Sequence, residues 1–179
     1  MTSCQDDSLT DAQGVYHAAF TGEARIISLI PSITELICDL DLGAQLVGRT
    51  GFCIHPRDFL RSVTKVGGTK DLKLDVIRQL APTHVIADMD ENRKEQVDAL
   101  REFVPHIVVI HPKTVSDNLA LYRLLGGIFQ RKSQAAILCE RLIAARQALH
   151  QTVASLPAEA VLYPIWREPW MTISRPTYI

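Results

Sequence analysis

The sequence predicts an α/β fold: a Rossmann-like parallel-sheet lobe, a long backbone helix, and the start of a second α/β lobe. Three observations carry this. From residue 25 onward, short β-rich apolar runs alternate with helical patterns, the order that a parallel sheet with crossover helices requires. The stretch from Lys132 to about Leu156 contains neither Pro nor Gly. Past Pro157, which ends that stretch, a new apolar run begins.

The elements follow in order. Residues 1–24 are polar, carry Asp6, Asp7, Asp11 and Glu23 without Lys or Arg, and read as a disordered lead. They contain no apolar run of signal-peptide length, so the chain as written is expected in the cytoplasm, and outside it if the N-terminus is incomplete. Strands are expected over Arg25–Ile30, Leu46–Thr50, His84–Ala87 and Ile107–Ile110, apolar enough to be buried on both faces. Ser32 and Glu35, then Thr114 and Asp117, have capping-box spacing ahead of apolar stretches and predict two helix starts. Further helices are expected over Pro56–Ser62, Leu74–Leu80 and Glu91–Phe103, with Gly67 and Gly68 supplying a turn. The Ala-, Leu- and Arg-rich segment from Lys132 then predicts one unbroken helix of about 36 Å, long enough to act as a strut between two bodies. The domain plan is a lead (1–24), a first lobe (25–130), a connecting helix (131–156), and a strand over Ala160–Ile165 with its loop, opening a truncated second lobe (157–179).

Composition narrows the function. With 19 basic and 20 acidic residues well mixed along 179, the net charge of -1 offers no field for nucleic acid or anionic lipid. Cys4, Cys38, Cys53 and Cys139 form no CxxC pair, which argues against a disulfide framework. No apolar run reaches bilayer length. The first strand leads into IPSITE rather than GxGxxG, and no GxxxxGK[ST], GxSxG or HExxH occurs. A cytoplasmic α/β enzyme is therefore the runner-up reading, and a truncated fragment without binding activity the third.

Five segments point elsewhere: RIISLIPSITELICDLDLGAQLVG from Arg25, GFCIHP from Gly51, KVGGTKDLKLDVIRQLAPTHVIA from Lys65, ENR at Glu91 and YPIWREPWMT from Tyr163. Together, in this order and spacing, they resemble the cobalamin-binding branch of the helical-backbone metal receptors, class III substrate-binding partners of ABC importers. The resemblance implies two α/β lobes joined by one long helix, a metal chelate held between them (cobalamin first, haem or a siderophore next), no cofactor of its own, no catalysis, and an ABC permease as partner. It further implies that Asp75 matches the first-lobe acid with which such receptors dock onto the transporter. The absent second lobe makes a homodimer plausible as a substitute.

Ligands of open α/β sheets sit beyond the carboxyl ends of the strands, so the loops there supply the candidates. Pro31 and Ser32 open a helix whose free N–H groups suit a polar ligand, or simply cap it. Phe52, Cys53 and His55 offer an aromatic face, a thiol and an imidazole, with Cys53 or His55 as a possible metal ligand, against the alternative of an ordinary packed loop. Gly67, Gly68 and Thr69 permit close backbone approach, or only a turn. Asp88, Asp90, Glu91, Asn92 and Arg93 put charge at the rim after the third strand, or form a solvated helix start; the second reading is taken for Glu91, whereas Asn92 and Arg93 are assigned to the ligand because the resembling family repeats ENR there. Trp166, Arg167 and Trp170 place both tryptophans beside a cation, a stiff amphipathic surface for a macrocycle or a packed cluster.

Overall fold

The computed structural model describes residues 9–157 and 159–172. The start of the predicted lead and the tail over residues 173–179 lie outside the described residues.

Five strands form one parallel sheet: β1 Ile26–Ser28, β2 Leu46–Arg49, β3 Thr64–Lys65, β4 His84–Asp88 and β5 His106–Ile110. Their spatial order is β3-β2-β1-β4-β5. The chain thus grows outward from β1 in one direction and returns past it to grow in the other, leaving a switch point between β1 and β4. Ile26, Ile27, Val85, Ile86 and Val108 are fully buried, as strands covered on both faces should be. The two-residue strand β3 has no counterpart among the expected strands, because the register that pairs Gly48 with Thr64 leaves no periodic signature in so short a run.

The helices are α1 Pro31–Asp39, α2 Arg57–Leu60, α3 Leu74–Gln79, α4 Lys94–Leu100, α5 Asp117–Ile128 and α6 Lys132–Val153. The capping-box reading of Ser32 is corrected: Ile30 caps α1 without a side-chain bond, Pro31 takes the first helical position, and Ser32 lies inside the first turn. The hydroxyl of Thr34 instead donates to Ser28 Oγ at 2.9 Å, which donates in turn to the Ile30 carbonyl at 3.0 Å. The Thr114 cap is corrected as well: α5 starts at Asp117 with Ser116 as its cap, and Asp117 Oδ2 instead accepts the N–H groups of Lys113 and Thr114 in the preceding turn, each at 2.8 Å. Those bonds hold its carboxyl below the usual range.

Residues 9–24 are not disordered. They form a strap over the free edge of β5: Ala12 N–H donates to the Val109 carbonyl at 2.9 Å, and Val109 N–H donates to Asp11 Oδ2 at 3.1 Å. The strap satisfies an edge that would otherwise present unpaired backbone groups. It then turns at Gly14 (φ +79°), and Phe20 N–H donates to the Ile128 carbonyl at 2.7 Å. Close approach is built in, because a Cβ on Gly127 would stand 2.3 Å from Leu9 Cδ2.

The 22 residues of α6 span about 33 Å. Its first turns dock on α5, where a Cβ on Gly126 would meet that of Ala135 at 2.5 Å. Only Ala135 and Cys139 of the helix are buried, so its second half runs beyond the core, with Leu149 and Val153 exposed. None of the helices among the described residues is long and apolar enough to cross a membrane. Past α6, β6 Pro164–Trp166 pairs antiparallel with β7 Met171–Thr172. The strand expected over Ala160–Ile165 is therefore shifted and shortened, since its one partner reaches only from Pro164 to Trp166.

Candidate functional site

A cleft of about 670 Å³ lies beyond the carboxyl ends of the sheet, within the range of small-molecule sites. Each strand's following loop contributes to it: Ile30, Pro31 and Ser32 after β1, Phe52 after β2, Thr69 after β3, and Asp88, Asp90 and Glu91 after β4. The loop after β5 adds Ile110, Pro112 and Val115, and Asn118 joins from the first turn of α5. This convergence follows from the strand order, which places the switch point under the middle of the cleft.

The walls are held by buried polar groups. Asn92, only 6% exposed, donates from Nδ2 to the Thr69 carbonyl at 2.7 Å and accepts the Asp88 N–H on Oδ1 at 2.9 Å. It bolts the loops after β3 and β4 together. Asp88 Oδ1 accepts the N–H groups of Asp90 and Glu91 at 2.8 and 3.1 Å, shaping the next turn. Asp90 Oδ2 lies 3.1 Å from His111 Nε2. Under the loop after β2, the buried guanidinium of Arg49 has no carboxylate partner among the described residues and donates to the carbonyls of Thr50, Cys53 and Leu60 at 2.9–3.3 Å. It thereby fixes the loop that presents Phe52, which is 64% exposed. An aromatic left this open at a cleft mouth is a ready platform for a flat ligand.

Pro31, Ser32, Phe52 and Thr69 are thus brought together as the sequence suggests. Cys53 is not: it is fully buried, and its Sγ lies 3.1 Å from Thr50 Oγ1, so it packs the loop and is closed to a ligand's metal. His55 is exposed on the same loop and does not line the cleft. Asn92 acts on the walls rather than on a ligand, and Arg93 is exposed at the start of α4. Gly68 stands behind Phe52, where a Cβ would meet the ring at an ordinary 3.5 Å. Gly67 is the glycine the turn demands: its φ is +114°, and a Cβ there would stand only 2.2 Å from the Asp71 carbonyl oxygen.

Trp166, Arg167 and Trp170 stand exposed on the β6–β7 hairpin, where Trp166 Nε1 donates to the Glu168 carbonyl at 3.0 Å, and none of the three lines the cleft. Asp75 is exposed in the first turn of α3. Sequence reasoning sets Asp88 and Asp90 at the rim without assigning them to a ligand, passes over Glu91 as a solvated helix start, and misses the loop after Ile110. The strand-end rule, applied to the fourth predicted strand as to the others, points to Pro112 and Val115. Among the described residues, no group of three or more His, Cys, Asp or Glu side chains is placed to hold a metal ion.

A parallel lobe with a cleft at its strand ends and one long helix leading away is an α/β lobe of the doubly wound class, in which ligands sit beyond the carboxyl ends of the strands. The periplasmic binding protein family model matches residues 26–179, and the chain belongs to that family. It is 27% identical over 118 residues to the vitamin B12-binding protein of Pectobacterium carotovorum subsp. carotovorum (strain PC1), a match covering 66% of this chain and 42% of that protein. The fold is similar to that of the periplasmic vitamin B12 binding protein BtuF of Vibrio cholerae (TM-score 0.76, 22% identity, 87% of this chain and 61% of that one). It is also similar to the periplasmic heme-binding protein RhuT from Roseiflexus sp. RS-1 (TM-score 0.70, 28% identity, with the same coverage). The chain spans less than half the length of the curated relatives it matches.

Proposed function

We propose that this chain captures a metal chelate of the corrin or porphyrin kind, cobalamin first and haem or a siderophore next, as the binding component of an ABC-type importer, leaving the ligand chemically unchanged. The observation that carries this reading is the convergence of all five strand-end loops on one cleft with Phe52 open at its mouth. A cleft of about 670 Å³ accepts part of a macrocycle, whose remainder extends toward whatever closes the site. Relatives named for vitamin B12 and haem support the ligand class. The family's members are binding proteins, which favours this reading over an α/β enzyme.

In this reading Pro31, Ser32, Phe52 and Thr69 contact the ligand, the hairpin residues Trp166, Arg167 and Trp170 supply a second surface, and Asp75 offers its exposed carboxylate to a basic pocket of the permease. Titration of the purified chain with cobalamin, and in parallel with haem, tests it by the ligand's absorption bands. Saturable binding that weakens in Phe52→Ala is the expected result. Absence of saturable binding to both ligands would sink the proposal.

A further inference from the structure

The polar groups of the cleft are unevenly distributed, and the unevenness has one sign. Asp88, Asp90 and Glu91 share one wall, while the other loops bring apolar faces and neutral groups such as Ser32 and Thr69. No Lys or Arg lines the cleft among the described residues. The three acids do different jobs. Asp88 is committed to the fold, since its carboxylate accepts the N–H groups of the two acids that follow. Asp90 has His111 beside it at the rim. Glu91 is half-buried, and its carboxylate accepts no hydrogen bond from another described residue. Donors for these two carboxylates must come largely from solvent or from a ligand.

Resting on the receptor reading above, we propose that Asp90 and Glu91 set the charge of the ligand's edge, admitting a chelate rimmed with amides or carrying positive charge and turning away one rimmed with carboxylates. A peripheral amide donates N–H to a carboxylate, and binding dries the contact, which strengthens it. A propionate in the same place adds like charge, and like charges brought together at an interface discriminate strongly against the wrong partner. The corrin of cobalamin is rimmed by amides and haem by propionates, so the acidic wall separates the two ligand classes for which this chain's relatives are named.

The test uses the full chain and compares cobalamin with its monocarboxylates, in each of which one peripheral amide is hydrolysed to the acid. Shape and metal stay constant while one charge is added. At least one isomer should bind about tenfold more weakly than the parent or worse, and Asp90→Asn combined with Glu91→Gln should bring that ratio close to unity. Asp88 is left in place because it holds the turn. Equal affinity for cobalamin and every isomer would overturn the charge inference, as would a ratio that survives the double substitution, and both leave the receptor reading intact. Failure of cobalamin, its monocarboxylates and haem alike to bind overturns the receptor reading, and the charge inference with it.

Discussion

The two ends of β4 face opposite chemistry within five residues. At the amino end His84 is 2% exposed, with Phe20 and Phe129 packed edge-on, both at centroid distances of 4.8 Å, and His106 stacked on it at 4.7 Å. At the carboxyl end Asp88 opens a turn of three acids on the cleft. The strap seals the closed end with Phe20, while its Asp11 sits beside Val109, the partner of Ala87 nearer the carboxyl end, and pairs with His17 at 3.1 Å under the surface. Burial works to raise the Asp11 carboxyl, but N–H groups of Val109, Val15 and Gln13, together with His17, bring it below its ordinary range. The difference separates packing from recognition along one strand: His84 is enclosed by rings at the closed end, whereas at the open end Asp88 and Asn92 are matched within the protein and the Glu91 carboxylate is left for something else to match.

The sharpest way to break that separation is through the strand between the two ends. Ile86 is fully buried there, and Ile86→Ala should cost about 2–5 kcal/mol in urea unfolding, with cleft and strap failing together. A loss below about 1 kcal/mol would mean that the two ends are held independently.

Acid tests the closed end first. Burial, helped by the charges of His106 and His17, pushes His84 down to about 3, so the ring stays neutral in the folded chain while the unfolded chain takes up a proton near 6.5. Protons therefore favour unfolding: the His84 contribution is full above about 6.5 and falls by roughly 1.4 kcal/mol per unit as the pH drops from there toward about 3. The contribution of Asp11 begins to fall below the ordinary carboxylate value near 3.8 and is gone once its lowered carboxyl protonates, so its window joins the acid end of the His84 decline. Denaturation midpoints measured from pH 8 to pH 4 should show the decline, and His84→Phe should flatten it.

The same division governs what the sequence makes legible. Buried strands such as Val85 to Ala87 advertise themselves, because a run covered on both faces must be apolar throughout, and α6 is visible in its lack of helix breakers. The strap is invisible for the opposite reason: residues 9–24 have no periodicity, and their order comes from bonds to Val109 and Ile128 that lie about a hundred residues away. At the cleft, the rule about strand ends finds the loops, but composition does not tell which polar residue faces in. Asn92 and Cys53 look like ligand contacts in the sequence, and both are taken up by the protein's own hydrogen bonds.

Asn92 offers the next, smaller effect. Asn92→Ala leaves the Thr69 carbonyl and the Asp88 N–H without partners under the surface and should cost about 1–3 kcal/mol. Because it also frees two walls of the cleft, ligand affinity should fall with stability. Asn92→Asp keeps the acceptor for Asp88 N–H but sets a buried carboxylate oxygen against the Thr69 carbonyl beside three further acids, so at neutral pH it should cost at least as much as the alanine variant in both measurements.

The smallest effect on stability is the most informative about the open end. Phe52 is largely exposed and contributes little burial that its removal could forfeit, so Phe52→Ala should stay within about 0.5 kcal/mol of the wild type in urea unfolding. If the ring is the platform for a flat chelate, the same substitution should weaken cobalamin binding by about tenfold, since the ligand then loses a stacking face without compensation. Affinity lost without stability lost is the signature of a group held out for a partner. The reverse outcome, a large stability loss with unchanged binding, would make Phe52 part of the closed packing and move the recognition surface to the acidic wall opposite.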